Sequence, residues 1–125
     1  MLTEQQIKSA MQSYMDCFNQ DDLEGVLSLF AEEASIEDPV GTAPIRGKAA
    51  IAEFYGRVVN GKTRIRRDEP IRGSHGNSGA MAIRIESQTA DAIMLFHVIE
   101  VMTFDEEGHI TSMKAYWGQS DMDQK

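Results

Sequence analysis

The sequence predicts an α+β domain in which three N-terminal helices pack on one face of a curved antiparallel sheet. In the first part of the chain, apolar residues recur at intervals of three and four, which is the spacing of amphipathic helices. From residue 62 onward the pattern changes to alternation and to runs rich in β-branched residues, as in strands. The chain has 125 residues, of which 42% are apolar and 26% charged, a composition typical of one globular domain. We therefore expect residues 1–125 to form a single domain.

The first predicted helix spans about residues 4–19. Thr3 followed by Gln6 has the form of a capping box, in which each side chain accepts a hydrogen bond from the backbone N–H of the other residue. An apolar stripe follows at helical spacing, and it predicts the face that the helix buries. The stripe consists of Ile7, Met11, Tyr14, Met15 and Phe18.

Two further helices are predicted after the first. Asp21 with Glu24 forms a second N-cap signal, and an apolar stripe runs from there to Phe30. Because only a brief polar break separates these two helices, we expect them to form a hairpin. Gly47 opens a third helix, which ends near Asn60. Its apolar members are Ala50, Ile51, Phe54, Tyr55 and Val58.

One strand is predicted before the third helix and several after it. Proline removes a backbone N–H and forces the preceding residue into an extended conformation, so Asp38, which precedes Pro39, should lie at the end of a strand. The later strands show alternation or enrichment in β-branched residues. They cover residues 63–67, 79–87, 92–104 and 110–117.

Composition excludes several classes of function. Twelve Lys and Arg against twenty Asp and Glu give a net charge of −8, which repels phosphate groups, so neither nucleic acid nor a membrane is expected as a partner. One cysteine, Cys17, and three scattered histidines offer no ligand cluster for zinc. The first residues lack the apolar stretch of a signal peptide, and no run reaches the length of a membrane-spanning helix. We therefore expect a cytoplasmic protein.

Glu100 is the most informative residue for function. Alternation along its strand places it on the same face as Phe96, Val98, Met102 and Phe104. A carboxyl group among apolar neighbours is costly to ionise, and the strand contains no Lys or Arg to pair with it. Two interpretations fit this pattern. Either the side chain reaches water, or it is a neutral acid able to donate a hydrogen bond inside a pocket.

Tyr14 and Asp38 are weaker candidates when each is taken alone. The ring of Tyr14 lies on the apolar stripe, so it is either an ordinary core tyrosine or a buried hydroxyl that needs a partner. Tyr55 is a further candidate for a shared hydroxyl network. Asp38 lies between apolar residues and is either a surface acid in a turn or a carboxylate that faces a cavity.

The opposite face of the same long strand predicts self-association. Leu95, Ile99 and Val101 make this face too apolar for solvent. We therefore expect a homodimer that forms through the sheet.

Four segments together resemble the Δ5-3-ketosteroid isomerase family. They are the segment around Tyr14, AEEASIEDPVG at 31–41, AAIAEFYGRV at 49–58 and SMKAYWG at 112–118. The resemblance extends from about residue 3 to residue 118, and it implies the cone-shaped fold of the nuclear transport factor 2-like (NTF2-like) proteins. It also implies a homodimer and a small apolar, steroid-like ketone as substrate.

The resemblance implies a proton shuttle that uses no cofactor. In such isomerases the residue that matches Asp38 moves a proton from C4 to C6 of a 3-oxo-Δ5-steroid. The dienolate oxygen that forms between the two steps accepts hydrogen bonds from a tyrosine that matches Tyr14 and from a protonated acid. This sequence has Glu100 where the family has aspartic acid, and the extra methylene moves the carboxyl group by about a bond length.

The resemblance to the family and the alternation along the strands also indicate which residues line the substrate pocket. These are Phe54, Tyr55, Met81, Ile83, Met102, Met113 and Trp117. Two other functions remain open on the same fold. One is a binding module that holds an apolar ligand or partner without chemistry, and the other is a cyclase or epoxide hydrolase that would also use an acid in the cone.

Overall fold

The computed structural model describes residues 1–125. Its helices are α1 (Glu4–Asn19), α2 (Leu23–Ser28) and α3 (Lys48–Val58), and a short 3₁₀ helix covers Gln119–Asp121. Its strands are β1 (Phe30–Glu37), β2 (Ile45–Arg46), β3 (Thr63–Arg67), β4 (Ser78–Gln88), β5 (Ile93–Phe104), β6 (Ile110–Tyr116) and β7 (Met122–Gln124). The predicted order of helices and long strands is confirmed.

The strands form one sheet in the order β2-β1-β6-β5-β4-β3, and β7 pairs with β5 beyond the end of β6. The sheet is mixed, because β1 runs parallel to β6 while the other pairs are antiparallel. The predicted curved sheet with three helices is confirmed, and the parallel pair of β1 with β6 is the one departure from the predicted antiparallel pairing. A parallel pair needs a long connection, and the chain between β1 and β6 supplies one.

The core lies between the helices and the concave face of the sheet. The predicted stripe of α1 is buried throughout, and the capping box between Thr3 and Gln6 is present. Apolar residues from β1, β4, β5 and β6 complete a single cluster of buried side chains. The burial of this cluster holds the helices against the sheet.

The start and end of α2 differ from the prediction. Asp22, not Asp21, caps the helix, and its carboxylate accepts a hydrogen bond of 2.9 Å from the N–H of Gly25. Phe30 does not belong to the helix, because pairing with Ile110 draws it into β1. Asp21 has a φ of 59° and binds the edge of the sheet instead.

The outer face of β5 and β6 carries exposed apolar side chains. Ile99 is 46% exposed and Tyr116 is 47% exposed, while Leu95 and Val101 are half-buried. The homodimer predicted through this face stays a prediction. None of the helices combines the length and the apolar character that a bilayer crossing requires. No group of three or more His, Cys, Asp or Glu side chains is arranged to hold a metal ion.

Candidate active site

A cavity of about 280 Å³ lies between α1, α3 and the concave face of the sheet. Its polar lining comes from Tyr14, Asp38, Tyr55 and Glu100, together with the indole N–H of Trp117 and two hydroxyl groups on β3 and β4. The rest of the wall is apolar and consists of Phe18, Phe54, Val58, Ile65, Ile85, Phe96 and Val98. The three residues singled out from the sequence therefore share one pocket.

Glu100 is buried in the middle of the sheet. Its neighbours across β4 and β6 are Met81 and Ala115, both apolar. The side chain is 1% exposed, and its Oε1 has no hydrogen-bond partner. Burial, and to a lesser extent the negative charge of Asp38, raise the pKa of Glu100 to about 8. The interpretation in which Glu100 reaches water is wrong, and the carboxyl group is mostly a neutral donor at pH 7.

Asp38 faces the cavity from the residue after β1. Because β1 and β6 run parallel, the ends of both strands lie side by side, and this places Trp117 next to Asp38. The indole Nε1–H of Trp117 donates a hydrogen bond of 2.9 Å to Asp38 Oδ1. Burial raises the pKa of Asp38, and the hydrogen bond from Trp117 acts in the opposite direction. Asp38 is therefore a half-buried carboxyl group whose charged form has one fixed donor.

Tyr14 and Tyr55 form a buried hydroxyl pair. Their oxygen atoms are 2.8 Å apart, and their rings meet edge to face with centroids 6.0 Å apart. Burial raises the pKa of both phenols well above its usual value, so both stay protonated. The pair has two hydroxyl protons and uses one of them internally. The second proton remains for an acceptor in the cavity.

The residues predicted to line a substrate pocket fall into two groups. Phe54, Tyr55 and Trp117 line the cavity. The other predicted lining residues, Met81, Ile83, Met102 and Met113, do not line it, since they are buried in the core. Met81 is paired with Glu100 across the sheet, and Met102 lies two residues after Glu100 on the same face of β5. On β4, two residues before Met81, a Cβ added to Gly79 would be 2.6 Å from the sulfur of Met11.

Several lining residues were not identified from the sequence. They are Phe18, Val58, Thr63, Ile65, Ile85 and Ser87, and Phe96 and Val98 were placed only on the face of Glu100. Alternation from Glu100 along β5 and across to β4 could have indicated Ile85 and Ser87. No pattern in the sequence shows where the helices stop covering that face.

Fold and site define a class of protein. Residues 11–113 match the model of the SnoaL-like domain, and the chain belongs to this family, which has the nuclear transport factor 2-like fold. The chain is 36% identical over 117 residues to a steroid Delta-isomerase of Nocardioides simplex, an alignment that covers 94% of both proteins. The resemblance to the ketosteroid isomerases is therefore confirmed at the level of the family.

Two further relatives are described as epoxide hydrolases or cyclases. The chain is 31% identical over 121 residues to epoxide hydrolase LasB of Streptomyces lasalocidi, covering 91% of this chain and 42% of that protein. The solved structure of SalBIII, an epoxide hydrolase/cyclase-like enzyme described in pyran ring formation in the polyether salinomycin, has a TM-score of 0.92. Its sequence is 29% identical to this chain, with 100% of both chains covered. The similar proteins are thus enzymes of two chemical types on one fold.

Proposed function

We propose that this protein is a cofactor-independent isomerase that moves the double bond of a 3-oxo-Δ5-steroid, or of a similar fused-ring ketone, into conjugation. One observation carries the proposal. A single cavity holds the carboxyl group of Asp38, with a donor fixed on its charged form, and a neutral unpartnered acid, Glu100, with the hydroxyl of Tyr14 nearby. The similarity to a steroid Delta-isomerase over nearly the full chain supports the same conclusion.

The reaction needs one base and two donors. The carboxylate of Asp38 removes a proton from C4, and the electron pair of that C–H bond moves through the ring to the carbonyl oxygen. Tyr14 and Glu100 donate hydrogen bonds to the oxyanion of the dienolate that results. Asp38 then returns the proton to C6, so that the substrate loses and gains one proton and the side chains end as they began.

The surroundings of the two acids fit these different roles. Glu100 has no donor to stabilise its charge, and the negative charge of Asp38 favours the protonated form of Glu100 further. Asp38 keeps a donor from Trp117, which favours its ionised form. Burial still raises the pKa of Asp38, and a stronger base results. Tyr55 positions the hydroxyl of Tyr14 through their 2.8 Å contact.

Ultraviolet absorbance tests this proposal with 5-androstene-3,17-dione as substrate. We expect the absorbance of the conjugated enone to grow well above the rate in buffer. Asp38→Asn should lower kcat by roughly 10²- to 10⁴-fold, the range for loss of a general base. The same variant should still bind a planar phenolic steroid, which mimics the dienolate. Full activity in Asp38→Asn contradicts the mechanism, and binding without any product in the wild type favours a binding module.

Epoxide opening is a second candidate for this site. A neutral acid can protonate an epoxide oxygen while a nearby carboxylate removes a proton from the attacking hydroxyl group or water, and Glu100 and Asp38 form such a pair. Similarity to LasB and SalBIII favours this chemistry. The test is incubation with a fused-ring hydroxy-epoxide, followed by chromatography for a cyclic ether or a triol. Turnover of the epoxide without isomerisation of the steroid makes this the main function.

A further inference from the structure

Two hydroxyl groups on the sheet also face the cavity of the proposed active site. Thr63 on β3 and Ser87 on β4 are direct cross-strand partners, and their side-chain oxygens are 3.3 Å apart. Thr63 is only 6% exposed. Both residues line the same cavity as Asp38 and Glu100. The mechanism proposed above does not use them.

The hydroxyl pair lies at the opposite end of the cavity from the acids. Glu100 is opposite Met81 in the pairing of β5 with β4, whereas Ser87 lies six residues further along β4, opposite Met94. The position of α1 agrees with this arrangement, because its C-terminal end is bound to β3, the strand that carries Thr63. The Asn19 side chain there donates to the carbonyl of Ile65 and accepts from its N–H, both at 2.8 Å.

The wall between the two ends is apolar. Val98 and Phe96 precede Glu100 in β5, on the side towards the hydroxyl pair, and Ile85 and Ile65 continue the same face on β4 and β3. The cavity therefore has polar groups at each end and an apolar middle. A ligand that fits this distribution has an apolar body with an oxygen function at each end.

We propose that the hydroxyl pair of Thr63 and Ser87 binds a second oxygen of the substrate, at the end remote from the ketone that reacts. This inference rests on the proposed function, because the reacting ketone fixes the orientation of the ligand. Two hydroxyl groups that bond to each other keep one free proton and free lone pairs. The pair therefore donates to a ketone and accepts from an alcohol, and the substrate class is an elongated apolar molecule oxygenated at both ends.

Contacts around β3 hold the hydroxyl pair in place. The two hydrogen bonds from Asn19 fix the backbone of Ile65, two residues after Thr63. The carboxylate of Asp21 accepts from the N–H of Gly61 at 3.0 Å and pairs with Arg64 at 3.1 Å. Thr63 is therefore bracketed by fixed residues, and a site of this kind loses little side-chain freedom when it binds a ligand.

Two phenolic steroids that differ only in the remote oxygen test the inference. Estradiol has a 17-hydroxyl group, and estra-1,3,5(10)-trien-3-ol lacks it, while the phenol of each mimics the dienolate. Trp117 is the only tryptophan and lines the cavity, so quenching of its fluorescence reports binding of both. We expect the wild type to bind estradiol about five- to tenfold more tightly, the value of one neutral hydrogen bond.

The variants Thr63→Val and Ser87→Ala should weaken binding of estradiol by the same factor and leave binding of the deoxy steroid unchanged. Thr103→Val is the matched control, since Thr103 is exposed on the opposite face of β5. With 5-androstene-3,17-dione, the two test variants should raise KM while kcat stays constant. Ser87 is half-buried, so Ser87→Ala alone keeps the test valid if Thr63→Val folds poorly.

The outcomes separate this inference from the proposed function. Equal affinity of the wild type for both steroids, or a preference that survives in the double variant Thr63→Val with Ser87→Ala, overturns the inference and leaves the isomerase proposal standing. Failure of both steroids to bind to the wild type overturns both. A preference for estradiol that the double variant loses and Thr103→Val keeps supports the role of Thr63 and Ser87.

Discussion

The buried acid Glu100 should make the stability of the protein fall as pH rises, and Glu100→Gln should remove this dependence. The folded protein holds the pKa of Glu100 at about 8, against an ordinary value of 4.5. Between these two pH values the folded state binds a proton that the unfolded state has lost. Glu100 therefore contributes fully to the free energy of unfolding below pH 4.5, and this contribution is lost as pH rises through 8.

The size of the effect follows from the interval between the two pKa values. Each pH unit corresponds to about 1.4 kcal/mol, so ionisation of Glu100 removes about 5 kcal/mol of stability in total. About 4 kcal/mol of this loss of stability falls between pH 5 and pH 9. Glutamine has a similar shape and no charge. The free-energy cost of burying the glutamine amide is the same at every pH.

Urea unfolding at pH 5, 6, 7, 8 and 9 measures the difference between wild type and Glu100→Gln. Titrating groups common to both proteins largely cancel in that difference. We expect the free energy of unfolding of Glu100→Gln, relative to that of the wild type, to increase by about 4 kcal/mol between pH 5 and pH 9. Glu86→Gln is the control, because Lys125 lowers the pKa of the half-buried Glu86 and its titration falls below this range.

Parallel pH curves for wild type and Glu100→Gln would refute the reasoning. They would mean that Glu100 is ionised in the folded protein and has found a cation or water. A slope in the Glu86→Gln difference would show that the two proteins differ through some other group. Parallel curves are therefore incompatible with a neutral Glu100 in the cavity, whereas a slope in the control difference would mean that the comparison does not isolate Glu100.

Four other changes test particular contacts. Tyr14→Phe should lower kcat for 5-androstene-3,17-dione by roughly 10²- to 10³-fold, the loss of one oxyanion donor, and an unchanged kcat would remove Tyr14 from the mechanism. Trp117→Phe removes the donor that lowers the pKa of Asp38, so the acidic limb of the kcat/KM profile should move to higher pH; an unmoved limb speaks against Asp38 as the base. Glu100→Asp should raise kcat on the same substrate, whereas a fall of about tenfold or more would show a pocket built around glutamate. Gly79→Ala would place a methyl group 2.6 Å from a methionine sulfur and 3.1 Å from a backbone oxygen, so urea unfolding should show a loss of about 1–3 kcal/mol.

Regular patterns in the sequence predicted how Tyr14, Asp38 and Glu100 are placed on their elements, whereas the family resemblance implied that they share one site. Helical spacing placed Tyr14 on the buried stripe of α1, and alternation placed Glu100 on the concave face of β5, as the structure confirms. Pro39 correctly indicated that a strand ends next to Asp38. These inferences succeed because each depends only on the local periodicity of the backbone.

The other features of the fold and of the site depend on how elements that are distant in the sequence pack together. Alternation gives the face of a strand but not the position along it, so Met81 and Met102 were assigned to the pocket although they are buried in the core and do not line the cavity. The parallel pairing of β1 with β6 joins two segments that are far apart in the chain, and no local signal marks it. Thr63 and Ser87 form one site only because β3 and β4 pair in a particular register.

The attachment of β3 has a consequence for how relatives of this protein diverge. β3 is the outer strand on its side of the sheet, and Asn19 and Asp21 bind it through polar contacts to its backbone and to Arg64. The acid end is built from other strands. On the functions proposed above, substitutions at 19–21 or 61–65 should change which remote group a ligand carries without disturbing proton transfer. We expect related sequences to differ more in the outer strand than in the centre of the sheet.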